Sequence, residues 1–380
     1  MILVYTITSI LLTTYAVLLG YYHRSFKQIP EDEIVPVDFV PQTRISVLVP
    51  ARNEEHNISY CIGSLLAQNY PANLLQFIII DDHSEDATAQ IVKNYKNPKL
   101  VLLSLEEHLP AEAINAYKKK AIDTGIEHAN GELIVTTDAD CIAPPFWLRN
   151  IAYTYESKDS CFIAGPVKME LQQGWLTKFQ ALDFLSLQGI TAASVYKGFH
   201  SMCNGANLAY SRSAFHSVNG FRGIDAIASG DDMLLMYKIA QQFPGKITYL
   251  KNRAAIVTTE PAPSLKTFLH QRIRWASKAQ AYEDKSVFRV LLLVYIMNLL
   301  MLTILITGFL SLQQLAWALL LLAIKTGIEW PFMHSVANFY GQGKLMKYFP
   351  FYQPLHIIYT VVAGSFGQFG SYEWKGRQVR

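Results

Sequence analysis

The spacing of apolar and polar positions divides the chain into apolar ends and an alternating middle. Residues 2–22 carry no charged side chain, and His23, Arg24 and Lys27 follow at once. About 20 apolar residues suffice to cross a bilayer. The basic flank follows the run, the reverse of a cleaved signal peptide, so the pattern predicts an uncleaved anchor with its basic end in the cytoplasm. A second apolar run, 290–312, is interrupted only by uncharged polar residues such as Asn298. A third begins at Leu315 and meets Lys325 and Glu329. Four apart on a helix, these two share a face and pair. Charges inside a span are functional candidates by default, whereas near a cytoplasmic helix end both snorkel to water, which is the expectation. A fourth stretch, 348–369, contains Pro350, Pro354, Gly364 and Gly367, with Lys344 and Lys347 before it and Lys375, Arg377 and Arg380 after it. Positive charge on both sides predicts a re-entrant or interfacial segment rather than a clean crossing.

The middle reads differently. Residues 25–43 are polar with Pro30, Pro36 and Pro41, the composition of a linker. Short runs rich in branched residues at 45–49, 77–80 and 133–137 suit buried parallel strands. Helical spacing covers 54–68, 87–95 and 111–128 between and around them. Strand alternating with helix predicts an α/β domain with a parallel sheet, whose ligands lie beyond the carboxyl ends of the strands. The expected organisation is an anchor over 1–24, a linker over 25–43, the α/β domain over 44–263, an interfacial helix over 264–285 and a membrane region over 286–380.

Composition agrees with a membrane protein, since 51% of the residues are hydrophobic and only 17% charged. A net charge of +3 gives no reason to expect a nucleic-acid partner. Cys61, Cys141, Cys161 and Cys203 form no CxxC pair, so free thiols in a reducing compartment are expected.

Each predicted strand runs out into polar groups: PARNEE at 50–55, DDHSED at 81–86 and DADC at 138–141. Asp and Asn are ordinary turn and cap residues, but three such strand ends together point to a ligand site. Asp138 and Asp140 are two apart, and extended backbone sends both side chains to one side. Two carboxylates there suit a hard divalent cation, Mg²⁺ or Mn²⁺, with positions left for phosphate oxygens. The run Lys118, Lys119, Lys120 is either a solvated face or a reach toward a diphosphate. Asp231 and Asp232 open a predicted helix over 233–241, where the helix dipole favours acids and a general base is the functional alternative. CNGAN at 203–207 adds a polar turn containing glycine. The amphipathic stretch 175–187 repeats Trp175, Phe179, Leu182 and Leu185 at helical spacing, for core packing or for a surface that meets the membrane and admits a lipid. Residues 264–282 read as a basic, aromatic helix along the bilayer surface, with Gln271, Arg274 and Trp275 on one face.

ISVLVPARNEE, IIIDDHSEDAT, KKKAIDTGIEHANGELIVTTDAD, CNGANLAY, SGDD and HQRIRW occur here in the order found in the family 2 glycosyltransferases. From residue 44 to about 280 the chain resembles that family, and in particular its membrane-bound branch, which carries a QxxRW motif. The resemblance implies a GT-A fold, a Rossmann-like nucleotide-sugar-binding domain, here flanked by N-terminal and C-terminal transmembrane helices. By the same resemblance Pro50, Arg52, Glu54, Asp81 and Asp82 meet the base and ribose of the donor, and Asp138 with Asp140 holds the metal and the sugar diphosphate. Lys118, Asn204, Gly205 and Asp231 join the substrate site and Asp232 is the base. Gln271, Arg274 and Trp275 face the mouth of the sugar-diphosphate site, Arg274 gripping a phosphate and Trp275 walling the acceptor side. Two departures stand out: the family's usual Glu-Asp pair is Asp231–Asp232 here, and Tyr117 stands where members often have glycine.

The expectation is a metal-dependent inverting glycosyltransferase of the bacterial inner membrane, its catalytic domain cytoplasmic. It moves a sugar from a nucleotide sugar, UDP-linked first, to a lipid or membrane-associated acceptor. The rivals are a processive polysaccharide synthase, a catalytically silent nucleotide-sugar sensor or assembly subunit, and a nucleotidyltransferase, which would release pyrophosphate and leave the QRIRW helix without a role.

Overall fold

The computed structural model describes the chain except for Met1 and residues 32–34, 109–115, 200–201, 226, 228–229, 278–284, 368–371, 375–376 and 380. The strands of the soluble part are β1 (Ile45–Ala51), β2 (Leu75–Asp81), β3 (Leu100–Ser104), β4 (Leu133–Thr136), β5 (Cys141–Ile142), β6 (Phe162–Ala164), β7 (Val167–Met169), β8 (Leu208–Ser211), β9 (Ile247–Tyr249) and β10 (Val257–Thr259). Seven of them form one sheet in the order β3-β2-β1-β4-β8-β6-β9, and β5-β10-β7 form a smaller one. In β1, Ile45, Val47, Leu48 and Val49 are all fully buried, as a strand covered on both faces requires.

Strands β3, β2, β1 and β4 are mutually parallel, as expected. The sheet as a whole is mixed, because β8 runs antiparallel to both β4 and β6. The reason is local. The chain enters β8 directly from the turn at 203–207, which sits at the ligand edge of the sheet, so the strand can only run away from that edge.

The helices are α1 (Ile2–Gln28), α2 (Ile58–Leu66), α3 (Thr88–Lys93), α4 (Leu105–His108), α5 (Tyr117–Glu127), α6 (Trp147–Lys158), α7 (Trp175–Tyr196), α8 (Arg212–Ser217), α9 (Asp231–Gln242), α10 (Leu265–Ala276), α11 (Lys285–Gly308), α12 (Leu312–Phe339) and α13 (Phe349–Phe366). The surface helix expected over 264–282 starts where Ser264 Oγ accepts from the Thr267 amide at 3.1 Å, a side-chain cap. It is observed to Ala276, and its expected last turn at 278–282 lies outside the described residues. The stretch read as amphipathic over 175–187 continues as α7 to Tyr196, with Phe179, Leu182 and Leu185 buried. Three of the four repeating residues thus pack in the core, while Trp175 is 53% exposed.

Among the described residues two helices, α11 and α12, are long and apolar enough to cross a membrane. The expected N-terminal anchor is a 27-residue helix, α1. It packs on α7 and α12 and buries Leu12, Tyr15, Leu19, Tyr22 and Phe26. The fourth stretch forms a 3₁₀ turn, Gly343–Tyr348, and then α13, which packs on α10, α11 and α12. Its expected last residues, 368 and 369, lie outside the described ones. Beyond it, β11 (Tyr372–Trp374) pairs with β12 (Arg377–Val379), and β11 lies beside α10.

The snorkelling expected of Lys325 and Glu329 is corrected. The two do pair, Nζ to Oε1 at 2.6 Å, but Lys325 is 0% exposed. Gln353 Oε1 accepts from Lys325 Nζ at 2.7 Å, and Tyr15 Oη donates to Glu329 Oε1 at 2.6 Å. Partners from α1 and α13 thus supply inside the bundle the hydrogen bonds that water would otherwise give.

Candidate active site

The carboxyl edge of the sheet, the start of α9 and the inner face of α10 enclose a cavity of about 1120 Å³. Its wall brings together Pro50, Arg52, Glu54, Asp82, Lys118, Asp138, Asp140, Asn204, Gly205, Asp231, Asp232, Gln271, Arg274 and Trp275, from segments up to 225 positions apart. Asp81 does not line it. That side chain is buried at the end of β2, where Oδ2 accepts from the Ser84 amide at 3.4 Å.

Arg52 is buried and ties two loops together. Its Nη1 donates to the carbonyls of Asp82 and His83 at 2.8 and 2.7 Å, and Nη2 lies 3.3 Å from Glu85 Oε1. Both loops turn sharply, with Asn53 at φ 51° and His83 at φ 55°. The clamp fixes how Asp82 faces the cavity, and His83 Nδ1 meets Asp82 Oδ1 at 3.0 Å.

The expected metal pair, Asp138 and Asp140, reaches the cavity in an unexpected way. Asp138 follows β4, and Ala139–Asp140 form a turn, so a bend rather than extended backbone aims both carboxylates inward. Ligand atoms of Asp138, Asp140 and Cys141 lie within 4.8 Å of one another. Burial, and then the carboxylates of Asp140 and Asp138, push the Cys141 thiol far above its ordinary range, and its Sγ donates to Asp140 Oδ1 at 3.4 Å. Two of the three ligand groups are hard carboxylate oxygens, the donors that fit Mg²⁺ or Mn²⁺, whereas the buried thiol is a soft one.

Of the three lysines, only Lys118 lines the cavity. Its Nζ lies 2.6 Å from Asp138 Oδ1 and 3.6 Å from Asp231 Oδ2. Burial by itself would depress this ammonium, but Asp138, Asp231 and Asp232 outweigh it and hold the pKa well above the ordinary lysine value. Lys119 points away, donating to the carbonyls of Ile224 and Ile227 at 2.6 Å each. Gly205 permits the crowding here, since a Cβ on it would sit 3.1 Å from Lys118 Nζ and 3.5 Å from Asp231 Oδ2. The roles of the two acids at the start of α9 separate accordingly. Asp231 faces the lysine, while Asp232 accepts from the Gly205 amide at 3.3 Å and from Met233 N at 2.8 Å.

On α10 the structure gives Arg272, which the sequence placed only among the basic residues of a surface helix, a more specific set of contacts. Arg272 is 4% exposed and forms an ion pair with Asp183 of α7 at 2.6 Å. Its Nη1 donates to Gln271 Oε1 at 2.7 Å, and its guanidinium stacks over Trp275 at 4.3 Å and Phe268 at 4.5 Å. Tyr359 of α13 donates to the other oxygen of Asp183. Arg272 therefore sets the rotamers of two cavity residues, Gln271 and Trp275. One signal was available: Asp183 is the sole acid in the 22-residue segment of α7, and a buried acid there requires a buried cation.

Two family models match the chain: Glycosyl transferase family 2 over residues 46–218, and Glycosyl transferase family group 2 over residues 133–342, more than half of its length. The chain belongs to the family 2 glycosyltransferases. An N-acetylglucosaminyltransferase of Rhizobium meliloti (strain 1021) is 26% identical over 282 residues, 71% of this chain and 63% of that protein. A poly-beta-1,6-N-acetyl-D-glucosamine synthase of Staphylococcus epidermidis is 27% identical over 237 residues, 61% of this chain and 53% of the synthase. This family member thus spans between about half and two thirds of those relatives' lengths. The mannosyltransferase PcManGT from Pyrobaculum calidifontis, solved with GDP-Man and Mn²⁺, superposes with a TM-score of 0.56 over 94% of this chain and 98% of that one at 18% identity. The fold is therefore GT-A, as the resemblance implied.

Proposed function

We propose that this family 2 member is a membrane-bound inverting glycosyltransferase, moving a sugar from a nucleotide sugar, a UDP-sugar first, to a lipid or membrane-associated acceptor. The observation that carries the reading is the single cavity shared by Asp138, Asp140, Asp232 and the Gln271–Arg274–Trp275 face. Asp232 takes the proton of the acceptor hydroxyl, whose oxygen bonds to the anomeric carbon as the bond from that carbon to the phosphate oxygen breaks. The nucleoside diphosphate leaves. A general base of this kind contributes about 10²–10⁴-fold in rate. The guanidinium of Arg274 can grip a phosphate in two-pronged fashion, and Lys118, cationic throughout the neutral range, adds a point charge. Asp138 and Asp140 would hold a divalent cation, which supplies charge neutralisation on the departing diphosphate. Helices α11 and α12 support an integral membrane enzyme, with the cavity on the cytoplasmic side of a bacterial inner membrane, where nucleotide sugars are available.

The test uses purified protein in lipid nanodiscs with Mn²⁺ or Mg²⁺, a panel of radiolabelled UDP-sugars, a total membrane-lipid extract and an Asp232→Asn control. A discrete labelled lipid, reduced about 10²-fold or more in the control, is expected. A high-mass ladder would transfer the case to a processive synthase, the reading favoured by the Staphylococcus relative. Donor binding without turnover, equal in both proteins, would make the chain a sensor.

A further inference from the structure

The same cavity has a second kind of wall. Beyond Trp275 it is lined by Phe288, Leu291, Leu292 and Val294 of α11 and by Ala363 and Gly364 of α13. Leu291 and Leu292 line it while remaining 37% and 42% exposed on a helix apolar enough to cross a membrane. Among the described residues this arm thus opens onto the apolar outer face of α11. Gly364 sets its width, because a Cβ there would lie 2.6 Å from the Tyr295 ring, so the two helices approach closely.

The polar groups in this arm are almost all spent on one another. Tyr295 Oη meets Ser365 Oγ at 2.9 Å, and the Tyr359 hydroxyl is turned onto Asp183. Among the described residues the Thr360 hydroxyl alone is buried there without a partner. A sugar chain carries several hydroxyls per residue, and each would lose its water in such a space without gaining a hydrogen bond. A hydrocarbon chain loses nothing.

We propose that the acceptor is a long-chain lipid whose hydrocarbon tail lies between α11 and α13 while its head group reaches Asp232. The inference rests on the glycosyltransferase reading above and specifies its acceptor: the lipid enters and leaves sideways, and no polymer is threaded through this arm.

The experiment measures transfer to a total membrane-lipid extract in nanodiscs, and separately to water-soluble N-acetylglucosamine oligomers, with donor affinity determined in parallel. The variants are Val294→Trp and Leu291→Trp, which fill the arm from its wall and its rim. Leu299→Trp, exposed on α11 away from the cavity, controls for adding an indole to that helix. The expected result is a tenfold or greater loss of lipid transfer in both arm variants with donor affinity kept, which also reports that they fold, and no loss in the control. Transfer to lipid at the wild-type rate in both arm variants would overturn the inference, as would wild-type extension of soluble oligomers into a ladder with the lipid extract ignored. A wild-type protein that binds no donor and releases no nucleotide with any acceptor would overturn the glycosyltransferase reading, and this inference with it.

Discussion

Two buried ion pairs invite comparison. Arg272–Asp183 joins α10 to α7 beside the cavity, and Lys325–Glu329 lies along α12 within the helix bundle. In both, an uncharged side chain from elsewhere completes the network, Tyr359 in one case and Gln353 in the other. Their surroundings differ in what they hold. The guanidinium of Arg272 stacks on Trp275 and bonds Gln271, both cavity residues. Among the described residues Lys325 and Glu329 hydrogen-bond to none of the cavity wall and instead pull α1 and α13 onto α12. Similar charge chemistry thus positions a site in one place and fastens helices in the other.

The largest effect should come from breaking the first pair on one side. Arg272→Ala leaves Asp183 buried and uncompensated, a change that costs about 3–5 kcal/mol, and it frees Gln271 and Trp275 as well. Thermal unfolding in nanodiscs should fall sharply and sugar transfer should be lost. Removing both charges sharpens the contrast. Exchanging a buried pair for apolar residues of similar volume is often neutral or stabilising by about 1–4 kcal/mol. The double variant Lys325→Met, Glu329→Leu should therefore keep stability and transfer. Arg272→Met with Asp183→Leu should keep most of the stability yet lose about tenfold or more in kcat, because no group then orients the QxxRW face. Equal transfer rates in the two double variants would erase the distinction drawn here.

A smaller change is expected at Tyr359→Phe, which removes one hydrogen bond to a carboxylate, worth about 1.5–3 kcal/mol. Since Arg272 still pairs with Asp183, the unfolding temperature should drop while kcat changes by less than about threefold. A kcat loss as large as that of the Arg272 double variant would mean that α13 positions the acceptor side through this hydroxyl.

The same two pairs explain what was legible in the sequence. Lys325 and Glu329 are four apart, so their pairing followed from helical spacing alone. Their burial did not, because it depends on Tyr15 and Gln353, which no local pattern connects to them. Arg272 and Asp183 are 89 positions apart, and only the three-dimensional fold brings them together. Strands β1, β2 and β4 were readable because a strand buried on both faces must be continuously apolar. The antiparallel course of β8 was not, since LAYS carries no record of which edge the chain enters from. At the site, Asp138, Asp140 and Asp232 were legible as acids at element ends, whereas the turn that aims Asp140 and the positioning role of Arg272 depend on contacts made across the fold.

A third pair differs from both and gives the finest test. Lys118 meets Asp138 at 2.6 Å, yet their side chains keep 25% and 34% of their surface exposed, so this contact can be exchanged for a ligand where the other two cannot. The pKa of Lys118 is raised, and the sign follows from that. The paired ammonium contributes fully below the unfolded lysine pKa of about 10.4, and its contribution is lost only as pH rises through the still higher folded value. Between pH 6 and 9 the Lys118 charge should therefore impose no pH dependence on donor affinity. Lys118→Arg should keep that flat profile with affinity within a few fold, and Lys118→Met should weaken donor binding by about tenfold at every pH in the range. A titration of donor affinity near pH 8 that disappears in Lys118→Met would mean that the three carboxylates do not hold this lysine charged, and that desolvation wins at the site.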